Sequence, residues 1–509
     1  MFGDWAFAAW NPEERRLILA RDHSGTTALY YYASPRFFAF SSSRRALLKL
    51  NLPPVEMDEL YLAQLLVAWF GFHGERTIHK QIMRVPPAHY VTVTPESVGV
   101  TQYWRVEETP ELLLPRNDYI PAFLEVFDRA VGDHLRGEGP VGATLSAGLD
   151  SGSVVVTAAA HLGKNGQRLP AFTSVPSFET SAFAGKGWFG DELPFARATA
   201  EAAGNVDLVT FDGAGLCPIG AIRRALQISM EPKHGAANMF WLLDLRRLAA
   251  DHGCRGLLTG SRGNEGISWT GNFASQPASV QIRGLGWKRW LRATVRRQAL
   301  WKTWKSRRRF QDTQQQWRET AIHPQFADRL DLIKRYLADQ DALAARQTRG
   351  ARTFVTSPGV TISQGASQAE MGAAHGLEIR DPTSDPRVLA FCYSVPDKIF
   401  IDPDTGVDRW LIRQAMKGRL PESVRMNRLR GRQAADLVLR LRHSEVAVDG
   451  ALEEIENGPA ASYVSVSAMR KAWERVRTED SHGAFRIAVE VLTKGIMAGL
   501  FVNGFGTSW

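Results

Sequence analysis

Ser146, Gly148, Asp150 and Ser151 fall together in the run VGATLSAGLDSGS, residues 141–153. An apolar, β-type stretch, Val141 to Leu145, enters a turn of small residues, Ser146-Ala147-Gly148. Leu149-Asp150-Ser151-Gly152 follows and feeds a helix-like segment, Ser153 to Leu162. A strand that stops at such a turn and runs into a helix leaves backbone N–H groups free at the helix N-terminus. Those groups and the helix dipole suit a phosphate or pyrophosphate. Asp150 is the best-placed carboxylate for a hard divalent cation such as Mg²⁺. A tight βα turn without a ligand is the alternative. The string G-x-x-x-x-G-K-[ST] occurs nowhere and no lysine follows the turn, which disfavours γ-phosphate transfer.

Presenting that turn takes a particular frame. From about residue 119 the pattern alternates helices with short strands. Ile120 to Leu135 reads as an amphipathic helix; Val141–Leu145, Ala171–Val175, Val206–Phe211 and Gly256–Thr259 read as strands; Glu192–Ala203 and Asn238–His252 read as helices. This order implies a parallel, doubly wound sheet with its ligand at the carboxyl ends of the strands. After about residue 285 the chain reads mainly as helix. Residues 1–115 are instead β-rich, with alternation in Trp5–Trp10, Leu17–Ala20, Tyr30–Tyr32 and Tyr90–Val93. Asn11-Pro12, Ser24-Gly25, Pro53-Pro54 and Pro86-Pro87 separate them. Residues 105–118, with acids and prolines, read as a linker, so the expected domains are 1–115 and 116–509.

A chain of 509 residues can bury a large core and should divide into domains. Its 44% apolar and 23% charged content is that of a soluble globular protein. Cys217, Cys254 and Cys392 are too few and too scattered for a disulfide framework or a zinc site, and fit a reduced, cytoplasmic setting. The apolar run around Leu60 to Phe72 is too short to span a bilayer, and no basic region followed by an apolar core marks a signal peptide. The net charge of +9 is concentrated. Eleven Arg and Lys, and no acid, lie between Arg283 and Arg309; without them 51 basic residues face 53 acidic ones. The whole-chain charge therefore gives no reason to expect nucleic acid as a partner. Within that segment, Trp287, Trp290, Trp301 and Trp304 are spaced to lie near one helical face. The open readings are a lid helix with its tryptophans in the core, a surface for an acidic leader peptide or partner protein, and membrane-surface or nucleic-acid binding.

The L-S-A-G-L-D-S string resembles the S-G-G-L-D-S pyrophosphate loop of enzymes that split ATP into AMP and PPi. The likeness extends along the chain. Gly3–Trp10, Leu19-Ala20-Arg21-Asp22, Gly25, Leu29-Tyr30-Tyr31, Val85–Tyr90 and Tyr103-Trp104 resemble the glutaminase domain of asparagine synthetases. Ala171–Ser174, Leu257–Glu265 (against L-T-G-E-G-x-D-E), Gly376–Pro382 and Leu420-Pro421 resemble their synthetase domain, in the family's order. The resemblance implies an α/β protein: a β-rich remnant of an Ntn-type glutaminase domain, then a doubly wound, ATP-pyrophosphatase-like domain with a helical C-terminal part. It implies ATP and Mg²⁺ as cofactors, Leu145 and Ser174 near the adenosine, and Thr259-Gly260 near the AMP portion. Ser146, Gly148, Asp150 and Ser151 are assigned the pyrophosphate.

The departures from the family are informative. Ala147 stands where it has Gly and Gly152 where it often has Ser. The glutaminase Cys is missing at Met1-Phe2, which leaves no thiol for splitting glutamine; a misassigned start is the alternative, and would leave an exposed sheet edge near residues 5–20. The family's Glu after T-G, linked to forming the acyl-adenylate, is Ser261, assigned the same catalytic place; its metal-binding Asp is Asn264, assigned to the metal because an amide can still offer an oxygen to Mg²⁺, though a carboxylate is the stronger ligand; and its Lys after L-P is replaced, with Arg430 the nearest basic candidate. Arg430 is assigned to developing phosphate charge, against a surface salt bridge. Glu378 is assigned to orienting the substrate or assisting proton removal from the attacking amine, against a salt bridge with Arg380. Asp191-Glu192 is either a helix cap or part of the nucleotide site.

Trp269, Arg380-Asp381-Pro382-Thr383 with Asp385, and Arg430-Gly431-x-Gln433-Ala434-Ala435-Asp436 are similar to lasso-peptide macrocyclases. That likeness implies adenylation of a carboxylate on a precursor peptide, followed by attack of the peptide's own N-terminal amine. A protease or leader-binding partner is then expected. An asparagine synthetase using glutamine or ammonia with aspartate, and a non-catalytic family member, are the competing expectations.

Overall fold

The first part of the chain forms two antiparallel sheets. The computed structural model describes residues 2–69, 75–296, 311–346 and 358–506. Seven strands come first: β1 (Ala6–Asn11), β2 (Arg16–Arg21), β3 (Tyr30–Ala33), β4 (Phe38–Ser41), β5 (Ile82–Arg84), β6 (His89–Val93) and β7 (Val98–Gln102). They pair in the orders β1-β2-β6-β7 and β4-β3-β5. Alternation places Leu19, Tyr31, Val85 and Val91 in one small core. The strands expected from alternation are present. β1 is an edge strand, and Phe7 and Trp10 on it are exposed.

The next seven strands are β8 (Val141–Thr144), β9 (Leu169–Ser174), β10 (Trp188–Phe189), β11 (Val206–Phe211), β12 (Gly256–Leu258), β13 (Glu378–Arg380) and β14 (Arg430–Gly431). Five of them make a parallel sheet in the order β11-β9-β8-β12-β13. The order reverses between β8 and β12, so their carboxyl ends flank a crevice, where open α/β sheets bind ligands. Side chains alternate across the sheet: Leu258 and Ala171 join the core under the helices Tyr119–His134 and Leu149–Gly163, whereas Leu257 and Phe172 join Leu245 and Ala249 on the other face. The four expected strands and the flanking helices appear within a few residues of their expected limits. β13 does not follow from a helical reading after residue 285; its three residues, EIR, are too short to show a period. β10 and β14 form a separate two-stranded parallel pair.

The helical C-terminal part has its own core, centred on Leu452, Ile455, Met469, Leu492 and Met497. In the basic segment, helix Trp287–Arg296 keeps Trp287 63% exposed, so this tryptophan does not join the core. Trp290 is half-buried; Trp301 and Trp304 lie outside the described residues.

A buried ionic cluster ties the two parts together. Arg44, Arg84 and Tyr30 of the first meet Glu231, Lys233 and Glu370 of the second.

Candidate functional site

The small-residue turn after β8 opens into a cavity of about 700 Å³ at the β8/β12 crevice. Leu145 is held by two bonds to β9: its N–H donates to Phe172 O (3.0 Å) and its carbonyl accepts from Thr173 Oγ1 (2.9 Å). The next residues close on themselves. Ser146 N–H donates to Ser151 Oγ (3.1 Å), the two serine hydroxyls share a bond of 2.7 Å, and Gly148 N–H donates to Ser146 Oγ (3.2 Å). Gly148 is the N-cap of helix Leu149–Gly163 with φ −81°. Ala147 avoids positive φ, so the methyl that replaces the family's glycine introduces no backbone strain. At Gly152, a Cβ would lie 3.1 Å from Leu420, which packs there instead of a serine side chain.

The end of β12 fits flush against this helix. A Cβ on Gly260 would lie 2.7 Å from the Asp150 carbonyl carbon, and one on Gly263 would lie 2.3 Å from Asp150 Cγ. Both positions therefore need glycine for close approach rather than for an unusual φ. The contact brings Thr259, Gly260, Ser261 and Asn264 to the same cavity wall as Ser146, Gly148, Asp150 and Ser151.

Asp150 shows the strongest sign of an absent partner. Its Oδ1 is sealed from solvent and has no hydrogen-bond partner. Burial pushes the carboxyl up to about 6, against the pull of a Ser268 hydrogen bond and the Arg409 charge. A bound cation would satisfy that oxygen. No cluster of three or more His, Cys, Asp or Glu able to hold a metal exists among the described residues. Mg²⁺ here would thus draw most of its ligands from water and phosphate oxygens, its usual habit. Asn264, the second expected metal ligand, turns its Oδ1 to Arg409 Nη2 (3.1 Å) and Ser268 Oγ (3.4 Å). A guanidinium occupies the place that the amide oxygen would offer a metal.

Ser261 lines the cavity, but its hydroxyl donates to Asp381 Oδ2 (2.9 Å), which also accepts from Arg262 N–H (2.9 Å). That bonding shapes the loop. Ser174 and Leu145 line the cavity, as does Arg430. Arg430 is exposed, makes no salt bridge among the described residues, and lies 5.7 Å from the Trp188 ring; Arg432 lies over the same ring at 4.4 Å. The β10/β14 pair is what carries these cations to the site.

Glu378 is the exception. It opens β13, paired with Gly256 at the amino end of β12, whereas the cavity lies at the carboxyl ends. Its side chain is 72% exposed and bonds the Arg380 guanidinium. Arg380 in turn donates to His134 O (2.9 Å) and Arg136 O (2.7 Å) at the end of helix Tyr119–His134. The salt-bridge alternative for Glu378 is the arrangement the structure holds, because a motif string does not reveal which end of a strand faces the crevice.

One further side chain escapes sequence reasoning. Arg409 lines the cavity in a left-handed conformation, φ 57°, which only the folded chain reveals. The Asp191-Glu192 pair divides its duties. Asp191 Oδ1 accepts the Leu193 N–H (2.9 Å) in the turn that enters the helix Leu193–Ala203, while Glu192, the residue at the N-cap, lines the cavity and accepts the Ala147 N–H. Burial pushes Glu192 up to about 7, opposed by that hydrogen bond.

An ionised Glu192 competes with an incoming anion for the Ala147 N–H. Pyrophosphate binding is therefore expected to weaken as pH rises through about 7, and Glu192→Gln to flatten that dependence. Titration calorimetry with pyrophosphate at pH 6 and pH 8 on both proteins checks this; equal slopes would count against it.

A family model described as asparagine synthase matches residues 122–493, and one described as glutamine amidotransferase domain matches residues 1–104. Among curated relatives, asparagine synthetase [glutamine-hydrolyzing] 3 of Bacillus subtilis is 30% identical over 169 residues, 32% of this chain and 27% of that protein. Amidase chry2 of Gibberella zeae is 28% identical over 218 residues, 41% of this chain and 32% of its own length. A putative asparagine synthetase [glutamine-hydrolyzing] of Mycobacterium tuberculosis is 28% identical over 209 residues, 40% of this chain and 30% of that protein. Each alignment spans less than a third of the relative.

Proposed function

The chain belongs to the asparagine synthase family of ligases, and on that premise we propose that it adenylates a carboxylate with ATP, releases pyrophosphate, and passes the acyl group to an amine. The observation that carries this reading is the shared cavity. The pyrophosphate-type loop with Asp150, Thr259-Gly260 and Arg430 all line it.

An acid and an amine do not condense at neutral pH until a carboxylate oxygen acquires a better leaving group. In the first step a substrate carboxylate oxygen attacks the α-phosphorus of ATP; the bond from that phosphorus to the bridging oxygen breaks and pyrophosphate leaves. The loop N–H groups and the Ser146 and Ser151 hydroxyls hold the departing phosphates. Asp150 would hold Mg²⁺, which would supply charge neutralisation for them. Arg430 and Arg432 bring two more cations to the same space. In the second step the amine nitrogen attacks the acyl carbon, AMP leaves with its oxygen, and the amine proton passes to solvent or phosphate.

For the acceptor we propose isopeptide macrocyclisation of a lasso-type precursor peptide. Support comes from Arg430 to Asp436, the segment similar to macrocyclases, all of which lines the cavity. Trp269 carries less weight, since it bonds Asp397 Oδ1 (3.0 Å) and packs against the core of the synthetase part. The names of the relatives and the glutamine amidotransferase match favour a second reading, amidation of aspartate. Among the described residues no helix is long and apolar enough to cross a membrane, and Cys217, Cys254 and Cys392 form no disulfide.

Exchange of labelled pyrophosphate into ATP, with Mg²⁺ and either aspartate or a peptide carrying a free N-terminal glycine and an internal acid, tests this. Exchange with the peptide and loss of one water from its mass are expected. Exchange with aspartate alone would move the protein to the second reading, and exchange with no acid would end both.

A further inference from the structure

The start of the basic, tryptophan-bearing segment takes no part in the cavity. It is nevertheless held firmly to the protein at one end. On the helix Ala278–Leu285, Val280 is buried, and Arg283 Nη1 donates to the carbonyls of Pro403 and Asp404 (3.1 Å each). A Cβ on Gly284 would lie 2.6 Å from Gly406 O, so the two backbones are in close contact. Gly286, at φ 78°, then turns the chain into the helix Trp287–Arg296.

That second helix is two-faced. Trp287, Trp290 and Leu291 share one stripe about 100° wide, and Lys288, Arg289 and Arg292 lie beside and behind it. A helix of a globular protein normally hides such a stripe against the core. Here Trp287 is 63% and Leu291 47% exposed, Trp290 is half-buried, and Ile282 on the preceding helix is exposed as well. Lys288 lies 5.6 Å from the Trp287 ring, and Lys288, Arg289 and Arg292 form no salt bridge among the described residues. No Asp or Glu occurs anywhere between Arg283 and Arg309.

We propose that the helix Trp287–Arg296 docks the protein on the surface of an anionic lipid bilayer. It would lie in the interface plane, with Trp287, Trp290 and Leu291 in the headgroup layer and the cations in the adjoining water. Tryptophan suits that depth because its ring is apolar and its N–H is polar. The placing of the charges favours a bilayer over an acidic peptide. A partner helix seated on the stripe pairs with charges that flank it, whereas Arg289 and Arg292 stand behind it. The field of an anionic surface extends about 8 Å at physiological ionic strength, comparable with a helix about 10–12 Å across, so it acts on cations on every side. A nucleic acid seated on the cations would leave the tryptophans in water. The stripe is short, and the cations supply the second signal that stable interfacial binding needs. The proposal is independent of the adenylation reading.

Co-sedimentation of the full chain with vesicles tests this, using phosphatidylcholine alone and phosphatidylcholine mixed with phosphatidylglycerol. Wild type is expected to bind the mixed vesicles roughly tenfold or more tightly than the neutral ones, and to lose that preference as salt rises. The pair Trp287→Ala with Leu291→Ala, and the triple Lys288→Gln, Arg289→Gln and Arg292→Gln, should each lose roughly tenfold or more on the mixed vesicles. Trp287→Phe should keep most of the binding, and all variants should melt with wild type. If the alanine pair melts lower, the charge triple, which changes only exposed side chains, decides the test. Equal binding to both vesicles, or binding to neither, would overturn the proposal. So would a charge triple that binds like wild type. An alanine pair that folds and binds as wild type does, while the triple fails, would also overturn it by making the segment a general polyanion surface.

Discussion

Asp150→Asn is expected to lower ATP–pyrophosphate exchange by about 10²–10³-fold, the scale of losing one preorganised charge-stabilising contact, while leaving the protein folded. The amide keeps the shape that Gly260 and Gly263 pack against and removes the charge that a cation needs. Stability should move the other way. The Asp150 carboxyl is raised from 3.8 to about 6 in the folded chain. Folding therefore favours its neutral form, and stability is lost as pH climbs through that interval and the group ionises. Above about pH 6 the asparagine variant should melt no lower than wild type, and higher if burial dominates. Exchange assays paired with thermal melts at pH 7.5 separate the two effects. Exchange retained within tenfold would refute the role of Asp150, and a collapse of the melting point would make it structural.

Glu231→Ala is expected to cost about 3–5 kcal/mol of stability, the range for breaking a buried ion pair. Glu231 has a side chain 3% exposed; its Oε2 pairs with Arg44 and with Arg84 (3.2 Å), and its Oε1 accepts from Tyr61 (2.8 Å). Alanine would leave Arg44 with Glu370 alone (3.2 Å) and Arg84 with no carboxylate among the described residues. Burial by itself would raise the Glu231 carboxyl, but Arg44, then Lys233 and Arg84, hold it far below the usual carboxylate range. A depressed group contributes its stability above the ordinary carboxylate range and loses it as pH falls below that range. Wild type should therefore weaken at acid pH, and Glu231→Gln, already without the charge, should show less of that loss. Denaturant titrations at pH 7 and pH 4 check both parts. A loss under 1 kcal/mol, or the same acid weakening in the glutamine variant, would show that the cluster does not hold the two parts together.

The site was legible where chemistry is local. A strand, a small-residue turn, an acid and a helix are consecutive, so VGATLSAGLDSGS displays its own geometry. The parallel sheet with its ligand at the carboxyl ends followed from the strand–helix order, whereas the switch point between β8 and β12 came from the assembled sheet. Glu378 was legible as an acid in a motif but not as a residue at the wrong end of β13. Strand polarity relative to the crevice is a property of the assembled sheet. Asn264 looked like a weakened metal ligand, and only folding brought Arg409, 145 residues away, to its oxygen.

The sequence by itself determined the kind of site: a phosphate-binding turn, its reaction class by resemblance, and the approximate limits of the elements that hold it. These depend on contacts between near neighbours and on period, both written in one dimension. Tertiary structure alone decided which charges face the cavity and which of them lack a partner. Burial and pairing depend on residues far apart in the chain, and they set the cost of an ionised Asp150 and the pull on Glu192.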